Sequence, residues 1–195
     1  MTTSYKKKYT IKEFYYQLHI GVRTIKHLIK GKRNGTLSKH FIERIMLAVT
    51  EVNGCSICSY GHTKIALEQG MSEEEINMLL SGSTSTVPND EVKAIMFAQH
   101  YADTKGYPTK DSWQNILETY GEEKALGILS TIRMIMIGNS YLITLGALKS
   151  RFSGKPLEDS HFIYELTMTL SIIPLLPVAI IHAILSSLLR KPLIK

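Results

Sequence analysis

Glu43-Arg44-Ile45-Met46-Leu47-Ala48-Val49-Thr50-Glu51-Val52-Asn53-Gly54-Cys55-Ser56-Ile57-Cys58-Ser59-Tyr60-Gly61-His62 places one acid, two thiols and an imidazole within a single stretch of the 195-residue chain. Residues three and four apart are neighbours on a helix surface, so a helix from Cys55 onward puts positions 55, 58 and 62 on one face. Two sulfurs and a ring nitrogen then converge. Asn53-Gly54 supplies a turn and a cap just ahead, and the unpaired N–H groups of the new helix favour an anion such as a thiolate. Helix N-termini, nearby imidazoles and C-x-x-C spacing each lower a cysteine pKa below about 8.5. One thiolate can attack an electrophile such as a peroxide oxygen, and the second thiol can condense with the resulting sulfenic acid to form a disulfide. An external reductant must then reset the pair.

Glu43 lies on the preceding helix among apolar Phe41, Ile42, Ile45, Met46 and Val49. A carboxylate there is costly unless paired. Pairing with His62 would let the two move a proton to and from the thiols, as an oriented base does in nucleophilic catalysis. Glu51 competes for this role, but its place in the turn before Cys55 predicts a solvated side chain.

Glu43-x11-Cys55-x2-Cys58-x3-His62, followed by Thr63-Lys64-Ile65-Ala66-Leu67-Glu68-Gln69-Gly70-Met71-Ser72, resembles the core of the carboxymuconolactone decarboxylase superfamily, specifically its alkylhydroperoxidase D-like branch. The resemblance is strongest over residues 37 to 80 and extends more weakly to about 155. It implies an all-α fold, a homo-oligomer and thiol-dependent reduction of a hydroperoxide in antioxidant defence. On the matching positions, Cys58 would be the peroxidatic thiol, Cys55 the resolving thiol, and Glu43 and His62 the proton relay. No bound cofactor is implied; an external dithiol or redox protein supplies electrons. One departure is Ile57, where the branch's type member carries a histidine between its cysteines. Lactone decarboxylation is the rival family chemistry, and the cysteine pair argues against it. Two further alternatives stay open: a thiol-disulfide sensor or reductase, and a structural, membrane-associated protein whose Cys55, Cys58, His62 and Glu43 hold zinc, although four-cysteine or cysteine-histidine sets are the usual zinc ligands.

Charge is uneven. Residues 1–40 carry ten Lys or Arg against one acid, whereas the rest carry thirteen against sixteen. The basicity therefore belongs to the N-terminal region. Two closely spaced cysteines fit a catalytic pair in a reducing cytoplasm better than a secreted disulfide framework. The first apolar segment is interrupted by lysines and histidines, so no signal peptide is read.

Three segments are expected: a basic amphipathic helix in 1–36, the thiol domain in 37–155 and a hydrophobic tail in 156–195. Residues 1–9 read as frayed. Ile11, Phe14, Tyr15, Leu18, Val22, Ile25 and Ile29 predict a helix over 10–30 that packs on the domain or lies on an anionic membrane. Nucleic acid is not an expected partner, because no recognised motif or continuing basic stripe supports it. After the turn at 31–35, Ser38 caps the Glu43 helix. The thiol helix runs to Gln69 and stops at Gly70. Ser72-x-x-Glu75 predicts a capping box and a short helix to Leu80. Asn89 or Asp90 should cap a helix to Lys105, and Trp113, Ile116 and Leu117 mark another that ends at Gly121. Residues 122–149 predict a buried central helix, with Arg133 paired to a core acid or facing a subunit interface. His100 and His161 read as surface or core histidines.

Leu166 to Leu189 contains no Lys, Arg, Asp or Glu over 24 residues. As a helix it would reach roughly 36 Å, enough for a bilayer core of about 30 Å. Pro174 and Pro177 are tolerated in such helices. The expectation is membrane contact at the cytoplasmic face, by spanning or dipping in, with packing inside the oligomer as the alternative.

Overall fold

The computed structural model describes residues 4–194. Among the described residues there are seven helices and no strand: α1 Ile11–Arg33, α2 Lys39–Asn53, α3 Ser56–Glu68, α4 Glu73–Leu80, α5 Val92–Asp103, α6 Lys110–Phe152 and α7 Phe162–Leu188. The expected all-α class is thus observed.

Local signals account for most helix ends. Thr10 and Glu13 form a reciprocal capping box at α1, and Ser38 accepts a hydrogen bond from the Phe41 N–H at α2. α1 continues through the expected turn to Arg33. The box expected at Ser72 and Glu75 is only half made. Ser72 accepts from the Glu75 N–H, but the Glu75 carboxylate is taken by Arg44. At α5 the cap position falls to Glu91, with no side-chain cap, in place of Asn89 or Asp90. Within α6 the backbone breaks at Gly121 (φ 72°, ψ 161°), so the short helix and the long apolar one are distinct as expected.

α6 is the central pillar. Its Ile128, Leu129, Ile132 and Met136 are fully buried, and it touches α1, α2, α3, α5 and α7. α2 forms the second hub, against α3, α4, α5 and α6. Arg44 of α2 ties α4 to the start of α5, donating to Glu75 at 2.5 Å and Glu91 at 2.8 Å. Among the described residues Arg133 pairs with no acid, and its position is not exposed. It is fully buried and donates to the Tyr101 hydroxyl (2.8 Å) and to the carbonyls of Leu193 (2.5 Å) and Ile20 (3.5 Å).

The N-terminal arm is where the structure departs furthest from the sequence reading. Residues 5–9, expected to fray, are pinned: the Tyr5 hydroxyl bonds Ser160, Lys7 donates to the Ala102 carbonyl, Lys8 to the Asp159 carbonyl, and the buried Tyr9 hydroxyl to Asn53. The partners lie 44 to 155 residues away in sequence, a distance over which local patterning carries no signal. The first three residues of that expectation fall outside the described residues.

α6 and α7 are both long and apolar enough to cross a membrane by length and composition, but their environments differ. In its most apolar 18-residue window α6 is 61% buried and α7 22%. α7 packs its small residues Ser171, Ala179, Ala183 and Ser186 inward and leaves Ile173, Ile181, Ile184, Leu185 and Leu188 exposed. Its polar anchor is Glu165, fully buried and held by a two-point ion pair with Arg151 at 2.7 and 2.9 Å.

Candidate active site

α2 and α3 meet at a tight corner that carries the thiols. α2 ends at Gly54, whose φ of 71° is the left-handed conformation that glycine adopts without penalty. This reversal lets Cys55 become the N-cap of α3 immediately afterwards. The Cys58 N–H donates to Cys55 Sγ at 3.3 Å, so a sulfur fills the place an oxygen usually takes at a helix start. Cys55 and Cys58 are joined as a disulfide, with Cα atoms 5.3 Å apart. Both are buried, at 1% and 5% exposure, with Cys58 the less covered.

One turn after Cys58, His62 hydrogen-bonds through Nδ1 to Glu43 Oε2 at 2.8 Å. Glu43 is buried in α2, and its carboxylate has this imidazole as its hydrogen-bond partner. The pairing leaves the Nε2 edge of the ring to exchange a proton. All four residues singled out in the sequence therefore sit at the α2–α3 corner: Glu43 on α2, Cys55 at the cap, and Cys58 and His62 at i and i+4 on α3.

Glu51 is held elsewhere. Lys6 pairs with its carboxylate and donates to its backbone carbonyl at 2.7 Å; Glu51 is partly exposed, as expected of a turn residue, and engaged away from His62. Two further residues support the corner and were missed in the sequence. Lys6 lies directly over Gly54, where an added Cβ would come within 2.4 Å of the lysine Cβ. Tyr9 fixes the Asn53 carboxamide at 2.8 Å, and Asn53 Nδ2 in turn contacts Met136 Sδ at 3.2 Å. Burial pushes the Tyr9 phenol above its ordinary range, so it remains a neutral donor. A run of lysines and tyrosines reads as a solvated arm, and nothing local marks it as the clamp of a turn some 45 residues later. Ile57, at the position between the cysteines, packs toward α6, with its Cδ1 3.1 Å from where a Cβ on Gly146 would stand.

Among the described residues no cluster of three or more His, Cys, Asp or Glu side chains forms a metal site. The sulfurs that would ligate zinc are bonded to each other.

The sequence profile of the carboxymuconolactone decarboxylase family matches residues 22–99, from the middle of α1 to the end of α5. The matched segment contains the whole corner and is similar to that family. Beyond the family, the chain is similar to the uncharacterized protein YdfG of Bacillus subtilis (strain 168), at 24% identity over 128 residues, covering 65% of this chain and 87% of the relative. No solved structure matches.

Proposed function

We propose that the chain is an alkylhydroperoxidase D-like thiol peroxidase. The observation that carries this reading is a buried Cys55–Cys58 disulfide set one helical turn from an imidazole that a buried carboxylate orients. In the reduced protein the Cys58 thiolate attacks the distal oxygen of a hydroperoxide. An S–O bond forms as the O–O bond breaks, and the alkoxide leaves as alcohol on taking a proton from His62. The Cys55 thiol then displaces water from the sulfenic acid, closing the disulfide. An external dithiol or redox protein returns two electrons and two protons. Glu43 holds the imidazole in one orientation throughout, as the third group of a nucleophile–base pair does.

Decarboxylation of a lactone gives no role to a redox-active cysteine pair. Zinc binding would require both sulfurs as thiolates, so it would compete with peroxide for the reduced pair. A sensor or reductase shares the same bond changes and differs in turnover. The test is thiol titration by intact mass on the reduced protein, with its metal content recorded, before and after a small excess of alkyl hydroperoxide. Loss of two hydrogens that a dithiol reverses, repeated over many cycles with a dithiol present, is expected. A single stoichiometric oxidation without turnover would make the protein a sensor. Unreactive thiols with one zinc per chain would make the site structural.

The apolar outer face of α7, uncharged from residue 166 to 189, suits contact with a membrane at the cytoplasmic face in a homo-oligomeric enzyme. Because the opposite face of α7 packs on α1 and α6, this contact is in-plane burial and not an isolated span. Flotation with anionic vesicles tests it. A soluble oligomer that ignores vesicles would assign the face to subunit packing.

A further inference from the structure

A cavity lies far in sequence from the thiol corner. It has a volume of about 290 Å³ and is enclosed by α1, the C-terminal turns of α7 and the strap of residues 191–193, with Tyr107 on its rim. That volume is at the lower end of small-molecule sites. The walls are of two kinds. Tyr16 and Tyr107 stack face to face with ring centroids 4.6 Å apart, and Ile20, Pro192 and Leu193 add apolar surface. The polar groups converge from two helices: His182 Nδ1 meets the Tyr15 hydroxyl at 2.8 Å, His19 Nε2 meets Ser186 at 3.2 Å, and the two imidazoles stack 3.9 Å apart.

The electrostatics are one-sided. Lys12, Arg23 and Lys191 line the cavity and, among the described residues, no carboxylate does. Behind it stands Arg133, buried and, among the described residues, without an acidic partner. Arg23 donates to the carbonyls of Lys191 (2.6 Å) and Pro192 (3.2 Å), and among the described residues its buried Nε has no partner. An unmet donor on a guanidinium is costly to bury, and a charged acceptor compensates it best. Burial, His182 and the surrounding cations hold the His19 pKa down at about 4, so a neutral imidazole faces the cavity and adds a hydrogen bond without a fixed charge.

We propose that this cavity is a second ligand site, for a small amphipathic monocarboxylic acid, whose carboxylate is taken by Arg23 and whose apolar body lies against the Tyr16–Tyr107 stack and Leu193. The site is separate from the disulfide corner, and its existence does not depend on the redox reading.

The test is calorimetric titration of the full chain with phenylacetate and octanoate, each against its neutral amide and against inorganic phosphate. Saturable binding of one acid per chain, at least about tenfold tighter than its amide, is expected. Arg23→Gln should abolish that preference while leaving the weak amide affinity in place. Tyr107→Ala, at an exposed rim position, should weaken acid and amide together. Absence of saturable binding by both acids, equal affinity for acid and amide, or equally tight binding of phosphate would each overturn the proposal. The acid–amide comparison is made on the unaltered protein, so a poorly folding variant does not remove it.

Discussion

Cys55 and Cys58 differ in what surrounds them, and the difference makes the redox reading testable residue by residue. Cys55 Sγ accepts the helix-cap bond, which stabilises negative charge there once the disulfide opens. Cys58 is the less covered sulfur and shares a helix face with His62. Cys58→Ser is expected to abolish peroxide consumption, whereas Cys55→Ser should accumulate a sulfenic acid that a dimedone-type reagent traps. If Cys55→Ser alone prevents the first oxidation, the cap bond outweighs the histidine and the two roles exchange. Glu43→Gln keeps the shape of the pair but not its charge. The rate of peroxide reduction should fall about a hundredfold, as expected for loss of an oriented proton carrier. His62→Gln combined with Glu43→Gln should cost little more than either alone, because the two act as a unit. His19 supplies a stability prediction of its own. Its folded-state pKa lies below the unfolded value of 6.5, at about 4. The unfolded chain therefore binds the extra proton first, and stability should fall as pH drops from about 6.5 toward 4. His19→Gln should flatten thermal midpoints measured across that window.

At the scale of elements, the corner between α2 and α3 depends on one backbone conformation. Gly54→Ala places a β-carbon on a left-handed residue and drives it into Lys6. The backbone strain alone is worth about 1–2 kcal/mol, and urea unfolding should show at least that loss. Because Gly54 directly precedes Cys55, disulfide closure should slow as well. Some helix ends were legible beforehand: Ser38 caps α2 as a side chain of its type does, and Gly121 breaks the chain where a glycine ends a helical pattern, whereas the caps at Thr10 and Thr109 were not read. The exception is instructive. Glu75 had the spacing for a capping box, yet a nearly buried arginine on another helix is a stronger claimant for its carboxylate than a backbone N–H open to water.

At the scale of the whole molecule, α6 and α2 carry the fold, and buried cations hold the periphery to them. Arg44→Ala would leave Glu75 and Glu91 facing a site without its guanidinium. Both carboxylates are mostly shielded, with side-chain exposures of 15% and 12%. The expected cost is about 3–5 kcal/mol, read as a drop in the urea midpoint with an unchanged slope. Arg133 does the corresponding work at the other end, where it pins the carbonyl of Leu193 and so closes the wall of the α1–α7 cavity.

From its sequence alone the chain declared its helical class, its central apolar helix and the four residues of the thiol corner. Those signals are short-range: three- and four-residue spacing, cap chemistry, and a pair of cysteines whose separation matches one helical turn. Tertiary structure decided everything that joins distant segments. It pinned the lysine-rich arm over Gly54, gave Glu51 to Lys6 and left His62 to Glu43, and matched Arg133 to carbonyls in place of an acid. It also turned α7 so that its serines and alanines face inward and its leucines and isoleucines face out. The physical reason is the same in each case: a buried charge or hydrogen-bonding group takes whichever partner the packing brings within about 3 Å, and that partner need not be near in the chain.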